Sequence, residues 1–206
     1  MLLKDYYNQT VSLNESKIGG WSQFYYGIVS KVINENNFKI IAEVGIGYGT
    51  HAKELLQNTN IDKLYLIDPM QYYPNDQFTK DIMSQISEIP NNNFNELYDL
   101  INNELKPWNT KYTWYRKPSL SITEEEIPSN SLDCIFIDGD HSYEAVYADL
   151  KFWWKKLRTG GHILGDDYWI DDVEKAVIQF SNDMNINPDF LTLPNNTYKI
   201  YRFIKL

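Results

Sequence analysis

Short apolar runs alternate with helical apolar stripes along most of the chain, which predicts a parallel sheet covered by helices on both faces. Each run is short, rich in branched and aromatic residues, and followed by polar or glycine positions. The predicted strands cover residues 38–44, 64–68, 111–116, 132–137 and 162–164. Because a helical stretch separates most of these strands from the next, the strands are expected to run parallel.

Helices are predicted where apolar residues recur three or four positions apart. The stripes fall at 21–32 (Trp21, Phe24, Ile28 and Val32), about 50–57, 94–105, 146–157 and 173–180. Gly160 and Gly161 follow the fourth stripe and predict the end of its helix. The N-terminal region, 1–37, is interpreted as an arm and a helix, and 69–110, which is longer than a crossover needs, as a lid or substrate wall.

The C-terminal region predicts a β-hairpin. Its two apolar runs, 190–193 and 198–204, flank a Pro-Asn-Asn-Thr turn at 194–197. A hairpin after a parallel sheet adds one antiparallel strand. Because the pattern contains no linker and no internal repeat, all 206 residues are assigned to a single domain.

Composition supports a packed intracellular protein. The chain is 43% hydrophobic and 15% aromatic, which is typical of a globular domain. Its one cysteine, Cys134, lies within a strand run, is interpreted as a core residue, and excludes an intramolecular disulfide. No apolar stretch suits a signal peptide or a membrane span, so a soluble, cytoplasmic location and no membrane partner are expected.

The charge balance argues against a nucleic-acid partner. With 28 acidic and 19 basic residues, the net charge is −9, whereas binding to phosphates requires clustered cations. The basic residues between Lys151 and Arg158 lie on a patterned helix and are interpreted as its solvated face. A small-molecule or glycan acceptor is therefore expected in place of a nucleic acid.

A glycine loop follows the first strand. Residues 43–50 read Glu-Val-Gly-Ile-Gly-Tyr-Gly-Thr, and glycines allow a tight turn and a close approach to a ligand. The helix that follows favours a negative group at its N-terminus. Asp68 ends the next strand, where a carboxylate can accept the hydroxyls of a ribose. These features together indicate a cofactor that contains a nucleoside.

The glycine spacing distinguishes between cofactors. It is G-x-G-x-G, and Thr50 stands where the dinucleotide fingerprint requires its third glycine, which disfavours a nicotinamide-dependent oxidoreductase. With an acidic residue ahead of it, the loop resembles motif I of class I S-adenosylmethionine-dependent methyltransferases. That resemblance implies a Rossmann-like, seven-stranded, mostly parallel sheet with a C-terminal antiparallel hairpin strand and helices on both faces. It also implies cofactor contacts from Glu43, Gly45, Gly47, Tyr48, Gly49, Thr50, Asp68, Ser119 and Asp138.

Acidic residues follow two further strands. Asp138, Asp140 and His141 come directly after the fourth strand, and Asp166 and Asp167 after the fifth. The ends of parallel strands meet at one edge of the sheet, so these carboxylates are expected to lie together. Carboxylates so placed repel one another unless a cation is present, and oxygen ligands suit Mg²⁺ or another hard divalent ion.

The same region resembles the metal-dependent sugar O-methyltransferases of the macrocin, mycinamicin and novobiocin type, over residues 136–144, 149–154 and 157–168. The resemblance implies that Asp138, Asp166 and Asp167 bind Mg²⁺. It also implies transfer of a methyl group to a sugar or glycoside hydroxyl in a vicinal diol. His141 stands where catechol-type relatives have a lysine base, and it is the candidate base, with Asp140 as the alternative. Its ordinary pKa, about 6.5, would leave it mostly neutral at pH 7.

Other interpretations stay open. Asp166 and Asp167 could form a turn or cap, Asp140 could cap a helix, and His141 could be a polar residue near a helix start. The functional alternatives are a metal-independent small-molecule methyltransferase, a hydroxylase-type enzyme and a non-catalytic domain on the same fold. Residues 1–20 could pack on a second subunit, and the chain could be part of a larger polypeptide. The aromatic residues that could stack on a sugar are Tyr72, Tyr73, Trp108 and Trp114.

Overall fold

The computed structural model describes residues 2–16, 27–71, 80, 94–192 and 198–206. Within them the strands are β1 (Ile40–Val44), β2 (Lys63–Ile67), β3 (Tyr112–Tyr115), β4 (Leu132–Ile137), β5 (Leu157–Gly165), β6 (Asp189–Leu191) and β7 (Ile200–Ile204). The helices are α1 (Leu3–Ser16), α2 (Ile28–Glu35), α3 (Thr50–Asn58), α4 (Asn95–Leu105), α5 (Tyr143–Lys156) and α6 (Asp171–Met184). Short 3-10 turns cover Lys106–Trp108 and Ser119–Ser121.

The sheet has seven strands in the order β3-β2-β1-β4-β5-β7-β6. Strands β1 to β5 pair in parallel, whereas β7 pairs antiparallel with both β5 and β6. The predicted fold class and the terminal hairpin are confirmed. Strand order reverses between β1 and β4, and the crevice at the carboxyl ends of two such strands is where ligands bind in open α/β sheets.

Hydrophobic side chains cover both faces of the sheet. Consecutive strand residues alternate between the two cores, as Ile135 and Phe136 of β4 do. Helices α1 to α4 contribute to one core and helices α5 and α6 to the other. Helix α1 buries Leu3, Tyr7 and Val11 in its own domain, so this part of the N-terminal region packs on its own chain.

The predicted end of the fourth helical stripe is wrong. Helix α5 ends at Lys156, and Leu157 already begins β5, so Gly160 and Gly161 lie inside a strand. The Gly160 N–H donates to the Lys205 carbonyl at 2.6 Å, and the Lys205 N–H donates to Gly161. A Cβ at Gly161 would lie 2.9 Å from the Asp133 carbonyl, so this glycine allows close packing on β4.

The prediction that the basic residues of this region are all solvated is also wrong. Lys156 is buried, and its ammonium donates to the Glu124 carboxylate at 2.6 Å and to the Ile127 carbonyl at 2.7 Å. Arg158 pairs with Asp133. A long aliphatic stem allows Lys156 to cross the apolar layer and still reach polar partners at its tip.

Some predictions fall on residues outside the described ranges. These are Trp21, Phe24, Tyr72, Tyr73, the turn at 194–197 and most of the first part of 69–110. The second part of that segment forms α4, whose Leu97, Ile101 and Leu105 are buried as predicted. In the described part of the chain, none of the helices has the length and apolar character that crossing a membrane requires.

Candidate functional site

The glycine loop connects β1 to α3 and places three glycines at positive φ. Gly45, Gly47 and Gly49 have φ of 85°, 51° and 73°. A Cβ at Gly45 would lie 1.8 Å from the Asp138 carbonyl oxygen, and one at Gly49 would lie 2.5 Å from Ile101. A Cβ at Gly47 meets no atom of the described residues within 4 Å. Gly45 and Gly49 therefore permit packing inside the protein, whereas Gly47 leaves an open surface that a ligand can approach.

The Asp68 carboxylate holds the glycine loop against the end of β2. One of its oxygens accepts the Ile46 N–H at 2.9 Å, and the other accepts the Met70 N–H at 2.7 Å. The Trp114 indole N–H donates to the Asp68 carbonyl at 3.2 Å, and this partly buried hydrogen bond also supports the turn. Each carboxylate oxygen can accept a second hydrogen bond. Ribose binding by Asp68 stays a prediction.

Glu43 lies in the interior beneath the loop, and its carboxylate contacts the buried His51 at 3.0 Å. Burial raises the pKa of Glu43, although His51 opposes the rise. The second carboxylate oxygen of Glu43 has no hydrogen-bond partner in the described part of the chain. The resemblance implied a cofactor contact for Glu43, and the structure adds His51, which sequence reasoning missed.

Tyr48 and Thr50 complete the loop. Tyr48 is buried, and its hydroxyl donates to the Tyr6 hydroxyl at 3.2 Å, which joins the loop to α1. Thr50 is also buried and is the first residue of α3. The N-terminal turn of α3 therefore lies directly behind the glycine loop, where its positive dipole end favours a negatively charged group.

Ser119 lies in the 3-10 turn after β3, where it joins a hydrogen-bonded chain. Its hydroxyl donates to the Asp149 carboxylate at 2.5 Å and accepts the Trp153 indole N–H at 2.7 Å. Burial raises the pKa of Asp149 to about 6. The adenine contact predicted for Ser119 stays a prediction. Asp149 was not singled out from sequence because an acidic residue on a helix reads as solvent-exposed.

The acidic–histidine cluster consists of Asp138, His141 and Asp167. The His141 Nε2 lies 2.9 Å from one Asp167 oxygen and 3.5 Å from an Asp138 oxygen. One potential ligand atom from each of the three residues lies within 4.8 Å of the others. Two carboxylates and an imidazole are a donor set that divalent cations accept. These residues therefore fit a metal site.

The carboxylates strongly affect His141. Burial alone would lower its pKa, but the hydrogen bonds and charges of Asp138 and Asp167 outweigh burial and raise the pKa to about 10. A neutral imidazole at pH 7 was expected, and that expectation is wrong for the protein without a cation. The physical reason is that two negative groups within 3.5 Å stabilise the imidazolium form.

Asp166 and Asp140 lie outside this cluster. Asp166 is buried, and one of its carboxylate oxygens has no hydrogen-bond partner among the described residues. Burial raises the pKa of Asp166 well above its usual range, and Asp138 and Asp167 raise it further. Asp140 is exposed and accepts the Ser142 N–H at 2.8 Å, which is the turn geometry of a residue before a helix.

Two residues that sequence reasoning did not select support Asp167. The Trp169 indole N–H and the Tyr198 hydroxyl both donate to the same Asp167 oxygen, at 2.8 Å and 3.3 Å. The other Asp167 oxygen faces His141. Asp167 has φ of 55°, a left-handed conformation that costs energy in a residue other than glycine. Its place two positions after the acidic pair Asp166-Asp167 is the sequence feature that could have pointed to Trp169.

A family model described as a methyltransferase domain matches residues 42–168. The match includes the glycine loop, Asp68 and the acidic–histidine cluster, and it covers more than half of the chain. The chain belongs to this methyltransferase domain family. The predicted recognition as a class I methyltransferase is confirmed at this level.

Individual relatives of this methyltransferase domain are distant. An uncharacterized protein of Acanthamoeba polyphaga mimivirus is 25% identical over 184 residues, which are 86% of this chain and 76% of the relative. The O-methyltransferase of Bacillus cereus, solved with S-adenosylhomocysteine, has a TM-score of 0.60 at 13% identity, with 98% of this chain and 90% of that chain covered. The O-methyltransferase TomG of Streptomyces achromogenes, involved in tomaymycin synthesis and solved with S-adenosylmethionine, has a TM-score of 0.64 at 10% identity, with 97% and 89% covered. At these identities, the two solved structures show a shared fold.

Proposed function

We propose that this methyltransferase domain is a Mg²⁺-dependent O-methyltransferase that moves a methyl group from S-adenosylmethionine to a hydroxyl in a vicinal diol of a sugar or glycoside. The observation that carries the proposal is the contact between its two candidate sites. The backbone of Asp138, a member of the acidic–histidine cluster, lies directly against Gly45 of the glycine loop. A methyl donor held by the loop would therefore lie beside the cluster.

The loop supports S-adenosylmethionine as the donor. Gly47 leaves its open surface for the ligand, Asp68 is placed at the end of β2, and Glu43 contributes a buried carboxylate oxygen beneath the loop. Both solved relatives described above contain this cofactor or its product. When bound, S-adenosylmethionine supplies a methyl group that its sulfonium centre already activates for transfer. The protein must position the accepting oxygen in line with that methyl group.

The cluster supports a divalent cation. Asp138 and Asp167 would hold it, and both lie close enough to the buried Asp166 to raise the pKa of that carboxyl. One Asp166 oxygen has no hydrogen-bond partner among the described residues. When bound, the cation supplies positive charge beside the acceptor hydroxyls and lowers their pKa. Two adjacent hydroxyls would fit beside a cation that Asp138 and Asp167 hold, which is why a vicinal diol suits the site.

A cation held by Asp138 and Asp167 would offset the negative charges that raise the pKa of His141, and the neutral imidazole is then the residue best placed to take the proton. Its Nε2 is directed toward the same region as the Asp138 and Asp167 carboxylates, so an acceptor hydroxyl bound there comes within its reach. Asp140 is exposed and engaged with the Ser142 N–H, which makes it the weaker candidate. Proton removal by His141 would leave the acceptor oxygen free to attack the methyl carbon.

A metal-independent methyltransferase is the second candidate. The observation that favours it is the 2.9 Å contact of His141 with Asp167, because a protonated imidazole offsets the carboxylate charges without a cation. In this alternative, Asp140, or His141 after it has lost its own proton, would take the proton of the acceptor directly. Activity after treatment with a chelator distinguishes the two candidates.

The test begins with calorimetric titration of S-adenosylhomocysteine and then Mg²⁺ or Mn²⁺ into the chelator-treated protein. We expect cofactor-product binding in every variant and a metal signal that is lost in Asp167→Asn. The matched control is Asp172→Asn, which removes an exposed carboxylate on α6 that pairs with Lys175. Methyl transfer to a panel of methyl glycosides is then measured with and without chelator.

Each outcome separates the candidates. Transfer that requires the added metal and fails in Asp167→Asn supports the proposal. Transfer that survives chelation supports the metal-independent alternative. Absence of S-adenosylhomocysteine binding in the unmodified protein would overturn the methyl-donor assignment itself.

A further inference from the structure

Among the described residues that precede the C-terminal Leu206, Trp169 is the most exposed large hydrophobic side chain, with 72% of its surface accessible. Tryptophan is usually at least partly buried, because its large apolar surface is costly to leave in water. Trp169 lies in the turn between β5 and α6, at the carboxyl edge of the sheet. This is the edge on which the glycine loop and the acidic–histidine cluster also lie.

The position of Trp169 is set by one hydrogen bond. Its indole N–H donates to an Asp167 oxygen at 2.8 Å, while the second Asp167 oxygen faces His141. Trp169 therefore adjoins the cluster on the side away from His141. Among the described residues, none of the aromatic or cation–π contacts involves its ring, and with 72% of the side chain accessible, much of the indole surface is available to a ligand.

We propose that Trp169 forms the wall of the acceptor subsite and stacks its indole face on the ring that carries the vicinal diol. This inference rests on the proposed function and names the part of the acceptor that the protein recognises. The hydroxyls would be held at Asp138 and Asp167, and the adjoining indole would cover the ring to which they are attached. A sugar ring offers a face of C–H groups and an aromatic ring offers a π-face, and both stack on an indole.

The hydrogen bond from Trp169 to Asp167 has a second consequence, which the test must distinguish from stacking. By donating to Asp167, the indole N–H also orients this carboxylate toward the cluster, and loss of such a contact weakens metal sites. Trp169→Phe keeps an aromatic face but loses the N–H. Trp169→Gln keeps an N–H donor but loses the face. Comparing the two assigns any effect to stacking or to orientation of Asp167.

The experiment uses the full chain with Mg²⁺ and two acceptor probes, methyl β-D-glucopyranoside and 3,4-dihydroxybenzoate. We expect Trp169→Gln and Trp169→Ala to raise the acceptor KM by about tenfold or more while kcat changes by less than about threefold. Trp169→Phe should keep KM within about threefold of the unmodified protein. Ile178→Ala, which truncates an exposed apolar residue on α6, is the control and should change neither constant. The preferred probe tells whether the ring is a saccharide or an aromatic.

Two results would overturn the inference. One is an unchanged acceptor KM in Trp169→Ala. The other is an equal loss in Trp169→Phe and Trp169→Ala together with weaker Mn²⁺ binding by calorimetry, which would leave Trp169 only the role of orienting Asp167. Retained S-adenosylhomocysteine affinity shows that each variant is folded.

A second readout is independent of methyl transfer. If neither probe is methylated, the proposed function fails for these acceptors, and binding is followed by quenching of tryptophan fluorescence. Quenching by a probe that disappears in Trp169→Phe but persists in Ile178→Ala supports the subsite by itself. Absence of quenching by both probes in the unmodified protein would contradict it.

Discussion

Gly45 and Asp138 are in direct backbone contact, so that a Cβ added at Gly45 would lie 1.8 Å from the Asp138 carbonyl oxygen. The two residues directly follow the neighbouring strands β1 and β4, and the Asp138 N–H donates to the Val44 carbonyl at 2.8 Å. This contact brings the glycine loop and the acidic–histidine cluster to the same point of the crevice. Gly45 is therefore a glycine that the packing of the protein requires, whereas Gly47 of the same motif faces the space open to a ligand.

Alanine substitutions at these two glycines should therefore have different effects. Gly45→Ala should lower the free energy of unfolding by about 3 kcal/mol or more, because strain at positive φ is added to a backbone overlap. Gly47→Ala should cost only about 1 kcal/mol, since among the described residues its Cβ meets no atom within 4 Å. Its main effect should be weaker S-adenosylhomocysteine binding.

Urea denaturation and calorimetry measure the two quantities separately. Equal destabilisation by both substitutions would contradict the distinction between a packing glycine and a ligand-facing glycine. Full cofactor-product affinity in Gly47→Ala would place the ligand elsewhere.

Asp68 should act first through the backbone of the loop. Asp68→Ala removes the acceptor of the Ile46 and Met70 N–H groups, and we expect a loss of about 2 kcal/mol in stability. S-adenosylhomocysteine affinity should fall by about tenfold or more because the loop loses its support. Asp62→Ala, at an exposed position just before β2, is the matched control and should change neither value. Asp68→Ala with unchanged stability would show that the two N–H groups find other acceptors.

Lys156 and Lys155 are adjacent residues with opposite environments. Lys156 is buried and reaches the Glu124 carboxylate and the Ile127 carbonyl, whereas Lys155 is exposed. We expect Lys156→Ala to destabilise the protein by about 2 kcal/mol, because it leaves polar acceptors and a cavity. Lys155→Ala should change stability by less than about 0.5 kcal/mol. Chemical denaturation measures the free energy of unfolding of both variants, and similar losses in the two would contradict the buried placement of Lys156.

His162 should make stability depend on pH. Burial lowers its pKa to about 4, and the charges of Arg202 and Arg158 act in the same direction. Since the unfolded value is about 6.5, the unfolded chain binds this proton more readily, and the stabilising contribution is lost as pH falls from 6.5 toward 4. Between about pH 7.5 and about pH 5, the unmodified protein should lose about 2 kcal/mol more than His162→Gln does.

Urea denaturation of both proteins at the two pH values measures this difference. Identical pH dependence in the unmodified protein and in His162→Gln would show that another group is responsible. The comparison is needed because carboxylates elsewhere in the chain also titrate toward the lower pH value.

Local patterns were sufficient to predict most of the elements. The alternation of strand runs and stripes correctly predicted β1 to β5, α4, α6 and the terminal hairpin, because burial of one face imposes a repeat that the sequence displays. The boundary at Lys156 was missed, since Gly160 and Gly161 resemble a helix end but in fact pack against β4 and β7. A glycine signals an unusual backbone or a close contact, and only the neighbouring strands decide which.

In the candidate site, too, the sequence predicted the position of residues along the sheet edge but not their contacts. Strand ends placed Asp68, Asp138 and Asp167 at one edge of the sheet, because parallel strands present their carboxyl ends together. Distances between side chains depend on rotamers and on the depth of each residue, so the sequence could not separate Asp167, which contacts His141, from the buried Asp166. The contacts of Ser119 with Asp149 and Trp153 likewise join residues that are distant in sequence.

By itself, the sequence determined the fold class and the glycine loop. It also placed the carboxylates and the histidine at a single edge, because periodic burial and strand order are written in local residue patterns. Tertiary structure alone decided which carboxylates contact His141, how far their charges raise its pKa, and that Trp169 stands exposed beside Asp167. These properties arise from electrostatic and packing interactions at distances of a few ångströms, and only the folded chain sets such distances.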